Sequence, residues 1–518
     1  MASGYTMASG KLGGVFAQSG PGVTNTITGI GAAFMDSVPQ VILGTQAPLG
    51  HFAKNGHQEC RGFGRSFSQL DSIQPLVAQT YSPPTAGSAV TCARQACALA
   101  LSKRTTTYLE LPADILGKQV EITDLKREQF IPENQAVDLN AVRRITDLIA
   151  DSNSPVFLFG DNLIHRGLTE QLRVLVEENN IGFVTTDFAK GVVPEDSPMC
   201  GGIMSISGKE HTRQLVENSD LVVAIGARLS VQSTLNFSAD LYKRLVEIDE
   251  DPANLNHHYP TLFSASSYLP GFINALTLKV SKKGKNDPIL KQIKEKEEKI
   301  RNLNHFEMRT SKTFTTTNVL RALRQKLPRD INVVGDSGLN LQFLKRDFPI
   351  YKPDGFYNLY GLAAMGAALP LAAGVALAKP NDLTVCVIGD GGILVYLSEL
   401  ALVKELNLRL AVIVINNIGY RQVGDRLKRY YAIDGGCELP QIDLIAAAGS
   451  LGINGVRVDN MEKLKSAMDS NLMDKGPVLI EVIVENDSLY DITPPHLQKL
   501  HDQLFYKGED KSIWPFKN

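Results

Sequence analysis

An α/β fold made of three successive, doubly wound parallel sheets is predicted for this chain by three observations. At 518 residues it exceeds what one hydrophobic core organises, so several domains are expected. Short unbroken apolar runs recur along it and end in Gly, Asp or Asn, the pattern of strands buried on both faces of a sheet. Helix-like stretches lie between these runs, as in a sheet wound by crossover connections.

The elements follow in order. "MASGYTMASGKLGGVFAQSGPG" (1–22) reads as a helix and then a strand. Gly4, Gly10 and Lys11 imitate a phosphate-binding P-loop, but five residues separate the glycines instead of four, and Leu12 stands where Ser or Thr would reach magnesium. "GIGAAF" (29–34) lacks the last glycine of a dinucleotide fingerprint and reads as helix packing. "VPQVILGT" (38–45) is the next strand, and the polar stretch 116–137 closes the first block. "LNAVRRITDLIADS" is a helix, followed by strands in "PVFLFGD" (155–161) and "LVVAIGA" (221–227). The mixed Lys/Glu run 281–302 reads as a solvated linker helix. After the helix in "NVLRALRQKL" come strands in "INVVGDSG" (331–338), "LTVCVIGD" (383–390), "LAVIVINN" (410–417) and "PVLIEVIV" (477–484). The expected domains are therefore 1–130, 137–280 and 312–518, with a charged linker over 281–311.

Composition narrows the function. A formal net charge of −2 leaves no electrostatic footprint for nucleic acid, so small molecules are the expected partners. Six cysteines without CxxC pairing argue against a structural zinc site and against a disulfide scaffold. No apolar run is long enough for a membrane span, and no charged-then-apolar leader opens the sequence, so a soluble cytoplasmic protein is expected.

Open parallel sheets bind ligands beyond the carboxyl ends of their strands. The most specific feature sits at such ends, in "GDGGILVYLSELALVKELNLRLAVIVINNIGY" (389–420). One strand delivers Gly389, Asp390, Gly391 and Gly392; a helix is expected from about Ile393 to Leu406; a second strand delivers Asn416 and Asn417. Asp390 and Asn417 are 27 residues apart, the span of one βαβ unit, so their side chains are expected to converge. An Asp carboxylate, an Asn amide oxygen and the Gly419 carbonyl are hard oxygen ligands suited to magnesium, with water and phosphate completing the shell. The glycines allow backbone N–H groups to approach a diphosphate at the start of a helix.

This pairing is the thiamine diphosphate motif, and nearly the whole chain resembles the acetolactate synthase large-subunit family of thiamine diphosphate enzymes. The resemblance implies a pyrimidine-binding domain, a central domain and a diphosphate-binding domain in that order. It places magnesium on Asp390, Asn417 and the Gly419 carbonyl. "YGLAAMGAALP" (360–370) is similar to the family's GLGTMG segment, which makes Met365 the prop that bends the cofactor and the Ala363 carbonyl an acceptor for its 4′-amino group. "SGPGVTN" (19–25) is similar to the family's SGPGATN loop and brings Pro21 and Asn25 near the pyrimidine, while "GHQE" (56–59) offers Gln58.

The family's glutamate that activates the pyrimidine lies upstream of the stretch resembling "MA.GY", in a segment this sequence does not contain; Glu59 is a carboxylate of the wrong motif. No catalytic acid is therefore identified. Three readings stand: a truncated or misassigned start, a cofactor-binding subunit without catalysis, or an enzyme that uses another acid, none, or one from a partner chain. His57 precedes Gln58 where the family commonly has Phe, and "DSGLNLQ" (336–342) puts Leu339 and Asn340 in place of a polar pair, so His57, Gln58 and Asn340 are the substrate-side candidates. The tryptophan that shapes the family's acceptor pocket is missing after Asn417. The resemblance implies decarboxylation of a small 2-oxo acid with carboligation; simple decarboxylation and cleavage of a 2-hydroxyacyl thioester are the alternatives. Asp161 and Asn162 replace two glycines of the central domain and crowd a dinucleotide, so FAD or a nucleotide is not favoured there. A homodimer or homotetramer is implied, because the family builds its site from two subunits.

Overall fold

The computed structural model describes residues 1–121, 136–235, 237–280, 290–291, 295, 314–469, 473, 476–485, 487–493 and 498–499. The expected linker over 281–311 lies almost wholly outside the described residues. Sixteen strands are described in three sheets, and every pairing between them is parallel.

The first sheet has the order β1-β2-β4-β3, from Gly13–Ala17, Gln40–Gln46, Thr106–Pro112 and Gln79–Tyr81. The second is β10-β9-β8-β5-β6-β7, built from Pro155–Phe159 (β5), Gly182–Thr185 (β6), Cys200–Ile203 (β7), Leu221–Ile225 (β8), Leu245–Asp249 (β9) and Phe263–Ser266 (β10). The third is β12-β11-β13-β14-β16-β15, from Asn332–Gly335 (β11), Phe356–Tyr357 (β12), Thr384–Gly389 (β13), Leu410–Asn416 (β14), Asn454–Val458 (β15) and Val478–Ile483 (β16). The seven apolar runs named above all contain strands. Their residues are buried on both faces, and β5 and β8 are buried throughout. That double burial is why the runs are continuous rather than alternating.

One expected element differs. The helix expected from about Ile393 to Leu406 is two helices, Asp390–Val395 and Glu399–Glu405. The break falls where the turn at Gly366 passes close by: a Cβ on Gly366 would lie 2.9 Å from both Val395 and Tyr396, so only glycine fits there.

The first and third units meet backbone to backbone. Helix Ala2–Ser9 lies against helix Ala368–Ala378, and a Cβ on Gly4 would come within 2.0 Å of the Leu371 carbonyl oxygen. The central and third units are tied at Ile350, whose N–H donates to Glu195 at 2.7 Å, and at Asp354, whose N–H donates to the Gly191 carbonyl at 3.0 Å. Gly4→Ala therefore forces the two helices apart. It is expected to cost about 1–3 kcal/mol, read as a lowered denaturation midpoint with unchanged m-value.

Candidate cofactor site

Register places the site. β13 and β14 are neighbours with Gly389 opposite Ile415, so Asp390 and the pair Asn416–Asn417 leave the sheet side by side. β11 pairs with β13 on the other side, with Gly335 opposite Val387, which brings Asp336 to the same rim. Three strand ends thus supply Asp336, Asp390 and Asn417, all of them buried.

The Asp390 carboxylate accepts from Gly391 N–H at 2.9 Å and from Gly419 N–H at 2.8 Å. Burial raises its pKa, against the lowering effect of these N–H donors. The two strand ends adjoin, and the loop after Asn417 hydrogen-bonds to Asp390 through the Gly419 N–H; no hydrogen bond between the Asn417 and Asp390 side chains is found among the described residues. The Asn417 backbone carbonyl accepts from Arg421 Nε at 2.9 Å, and no hydrogen bond of its side-chain amide is found among the described residues. The Gly419 carbonyl accepts from Arg421 N–H at 2.9 Å, which leaves its second lone pair. No cluster of three His, Cys, Asp or Glu side chains able to hold a metal occurs among the described residues. A magnesium ion here would rest on one carboxylate, an amide oxygen and a carbonyl, a set that fits a cation sharing its shell with phosphate and water. A cavity of about 360 Å³ opens at Asp390, between Leu394, Ile418 and the segment 439–444.

The glycines are demanded by close approach. A Cβ on Gly391 would lie 2.3 Å from the Tyr420 ring, and one on Gly392 would lie 2.2 Å from Asp336 Oδ2. Among the backbone N–H groups expected to approach a diphosphate, that of Gly391 is already engaged by its neighbour's carboxylate.

Asp336 was not singled out from the sequence, yet it holds the 360–368 segment. It accepts from Gly366 N–H at 2.9 Å and Ala368 N–H at 3.2 Å, and burial pushes its pKa up to about 6. At its other end the segment is held by Asp36 of the first unit, which accepts from Gly361 N–H at 2.9 Å. Asp36 is likewise raised to about 6 by burial. Between the two anchors lie Ala363, with φ of 55°, and Met365, which is partly exposed. Asn340 is buried and donates to the Asp336 and Val387 carbonyls at 3.3 and 3.5 Å, a role in the turn at the strand ends.

In the first unit Pro21, Asn25 and His57 are exposed, and Gln58 accepts from Gln18 Nε2 at 2.8 Å. No hydrogen bond joins these residues to Asp390, Asn417 or Met365 among the described residues of one chain. The loop 19–25 has a foundation that sequence reasoning missed. Gln69 accepts from Gly20 N–H at 3.1 Å and donates to the Thr45 carbonyl and to Glu110, both at 2.8 Å. Ser19 Oγ donates to the Gln58 carbonyl at 2.7 Å. Glu59 caps its own loop, accepting from Ala53 at 2.9 Å and Gly56 at 3.1 Å; burial raises its pKa, but these N–H donors and Arg61 outweigh that and hold it below the usual value.

Against known families, residues 1–64 match the N-terminal TPP binding domain of thiamine pyrophosphate enzymes, 142–276 the central domain, and 335–482 the C-terminal TPP binding domain. The chain belongs to the thiamine pyrophosphate enzyme family. It is 26% identical over 523 residues to a "Probable acetolactate synthase large subunit" of Methanococcus aeolicus, covering 95% of this chain and 85% of that protein. It is 28% identical over 517 residues to the "Acetolactate synthase large subunit" of Parasynechococcus marenigrum, covering 95% and 80%. With the "Acetolactate synthase isozyme 2 large subunit" of Escherichia coli it shares 26% identity over 527 residues, covering 95% and 88%.

Two outcomes are expected. Asp336 binds its proton more tightly folded than unfolded, so its contribution to stability is full below about pH 4 and is lost as pH rises through about 6. Asp336→Asn does not titrate, so its melting temperature relative to the parent should improve between about pH 5 and pH 7.5, read by calorimetry. Gln69→Leu removes the Gln69 partner of Glu110 and of the Gly20 N–H and should lower stability by about 1–3 kcal/mol, with faster hydrogen exchange over residues 18–24.

Proposed function

We propose that this protein catalyses thiamine diphosphate- and magnesium-dependent decarboxylation of a small 2-oxo acid followed by carboligation, a reading supported by its likeness to proteins named acetolactate synthase large subunits. The observation that carries the reading is the meeting of Asp390, Asn417 and the Gly419 loop at adjacent strand ends, in a thiamine pyrophosphate enzyme aligned to acetolactate synthases along 95% of its length. When bound, thiamine diphosphate supplies a nucleophilic carbon that adds to a 2-oxo acid and accepts the electrons released with carbon dioxide.

The chain's own residues have distinct tasks. Asp390, the Asn417 amide oxygen and the Gly419 carbonyl hold magnesium, and with it the diphosphate. Gly389, Gly391 and Gly392 keep side chains out of the diphosphate's path. Met365 and the Ala363 carbonyl, fixed between Asp36 and Asp336, set the bend and the amino-group orientation of the cofactor. Pro21, Asn25 and Gln58 present the pyrimidine side, and His57 stands toward the substrate, while Asn340 serves the turn at the strand ends. Pro21 and Asn25 are exposed on their own unit, and exposed apolar groups such as Ile418 and Val423 flank the diphosphate side. Both facts favour a site completed by a second copy, hence a homodimer or homotetramer.

No flavin or nucleotide is assigned to the central domain. Its strand ends are tied to one another: Asn162 donates to both Asp249 oxygens at 2.9 Å, and Arg228 pairs with Asp161 at 2.5 Å. The purified protein is accordingly expected to be colourless.

Incubation with pyruvate, thiamine diphosphate and magnesium is expected to yield acetolactate. Acetaldehyde instead would indicate simple decarboxylation, and neither product would overturn the reading. Asp390→Ala is expected to weaken thiamine diphosphate binding at least about a hundredfold in calorimetric titration, and chelation of magnesium should have a comparable effect. Binding without turnover would identify a cofactor-binding subunit.

A further inference from the structure

A second cavity, of about 480 Å³, lies in the seam between the central and C-terminal units. The edge strand β7 and residues 208–212 form one wall; helices Thr316–Lys326 and Leu339–Asp347 form the other. Seven cationic side chains line it against three acidic ones.

Three of the cations are matched within the wall: Lys190 by Glu195 at 2.6 Å, Arg321 by Asp347 at 2.8 Å, and Arg329 by Asp196. Lys345 is matched from behind by the buried Asp187 at 3.2 Å. Lys209 aside, Arg324 and Arg346 remain, and the hydrogen bonds seen for them go to neutral groups. Arg324 donates to the Leu327 carbonyl at 3.0 Å and to that of Pro328, and Arg346 donates to the Ile492 carbonyl at 3.1 Å.

Arg324 is the telling residue. It is 7% exposed, and its Nε has no hydrogen-bond partner. Its guanidinium lies against the rings of Phe348 at 5.2 Å and Tyr351 at 5.0 Å, contacts it would lose by swinging out to solvent. Burial lowers its pKa, the mark of a cation whose lost hydration is not made good by a counter-charge. A buried charge of this kind is costly unless an anion faces it.

We infer that the seam cavity binds a phosphorylated small organic molecule, with its dianionic phosphoryl group held by Arg324 and Arg346. Two guanidinium groups match two negative charges on one group, and their forked donors suit phosphoryl oxygens. The cavity exceeds what a lone phosphate fills and falls in the range of about 300–1,000 Å³ usual for small-molecule sites. Because both units line the cavity, its occupant bridges them and stabilises the seam.

The test is calorimetric titration of the full chain, saturated with thiamine diphosphate and magnesium so that the site at Asp390 is filled, using ribose 5-phosphate and, separately, inorganic phosphate. Ribose 5-phosphate is expected to bind with submillimolar Kd and to raise the melting temperature. Arg324→Gln should weaken it at least about tenfold, as should Arg346→Gln, which leaves the stacked guanidinium in place. Inorganic phosphate binding with the same sensitivity supports recognition of the phosphoryl group alone. No heat with either probe at about 1 mM, or binding that both variants leave unchanged, overturns the inference. The parent–variant comparison reads the seam whether or not thiamine diphosphate itself binds.

Discussion

The in-register pairing of β13 with its neighbours β11 and β14 is the constraint on which the cofactor end of the molecule depends. With Gly335 opposite Val387 and Gly389 opposite Ile415, the residues that follow each strand emerge at one rim. A parallel sheet has all its carboxyl ends on one side, so polar residues at those ends are gathered there by the backbone. A shift of one residue in either pairing would turn Asp336 or Asn417 away from Asp390.

On that rim two buried carboxylates act as fasteners. Asp336 and Asp36 each accept backbone N–H groups from the 360–368 segment, one from inside its own unit and one from across an interface. Burial raises both to about 6, so their charge near neutral pH is maintained at some cost in stability. The segment they hold carries a non-glycine residue in the left-handed region at Ala363, a conformation that needs such support.

The seam between the central and third units follows a different logic. Its wall is dense with ion pairs, among them the fully buried Lys345–Asp187 and the largely buried Lys190–Glu195. Pairs this deep are better at fixing one geometry than at adding stability, since desolvation offsets much of their attraction. The cations left over distinguish the cavity from an ordinary interdomain cleft.

The strands were legible because burial on both faces writes itself as continuous Val/Ile/Leu runs, and the Asp390–Asn417 spacing was legible because a βαβ unit has a characteristic length. The sequence alone therefore determined the α/β class and the order of the three units, and it singled out Asp390 and Asn417, which leave neighbouring strands. Tertiary structure alone decided the rest. The helix break at Tyr396–Ser398 lies beside the turn at Gly366, thirty residues away, where a side chain would collide with Val395 and Tyr396. The support of the 19–25 loop by Gln69 and Glu110 joins residues about forty to fifty positions apart. The roles of Asp336 and Asp36 depend on which N–H groups face them, and the charge of the seam depends on side chains drawn from two separate units. Local pattern records whether a residue is buried and in what element; which partner it meets is set only when the sheets are wound and packed.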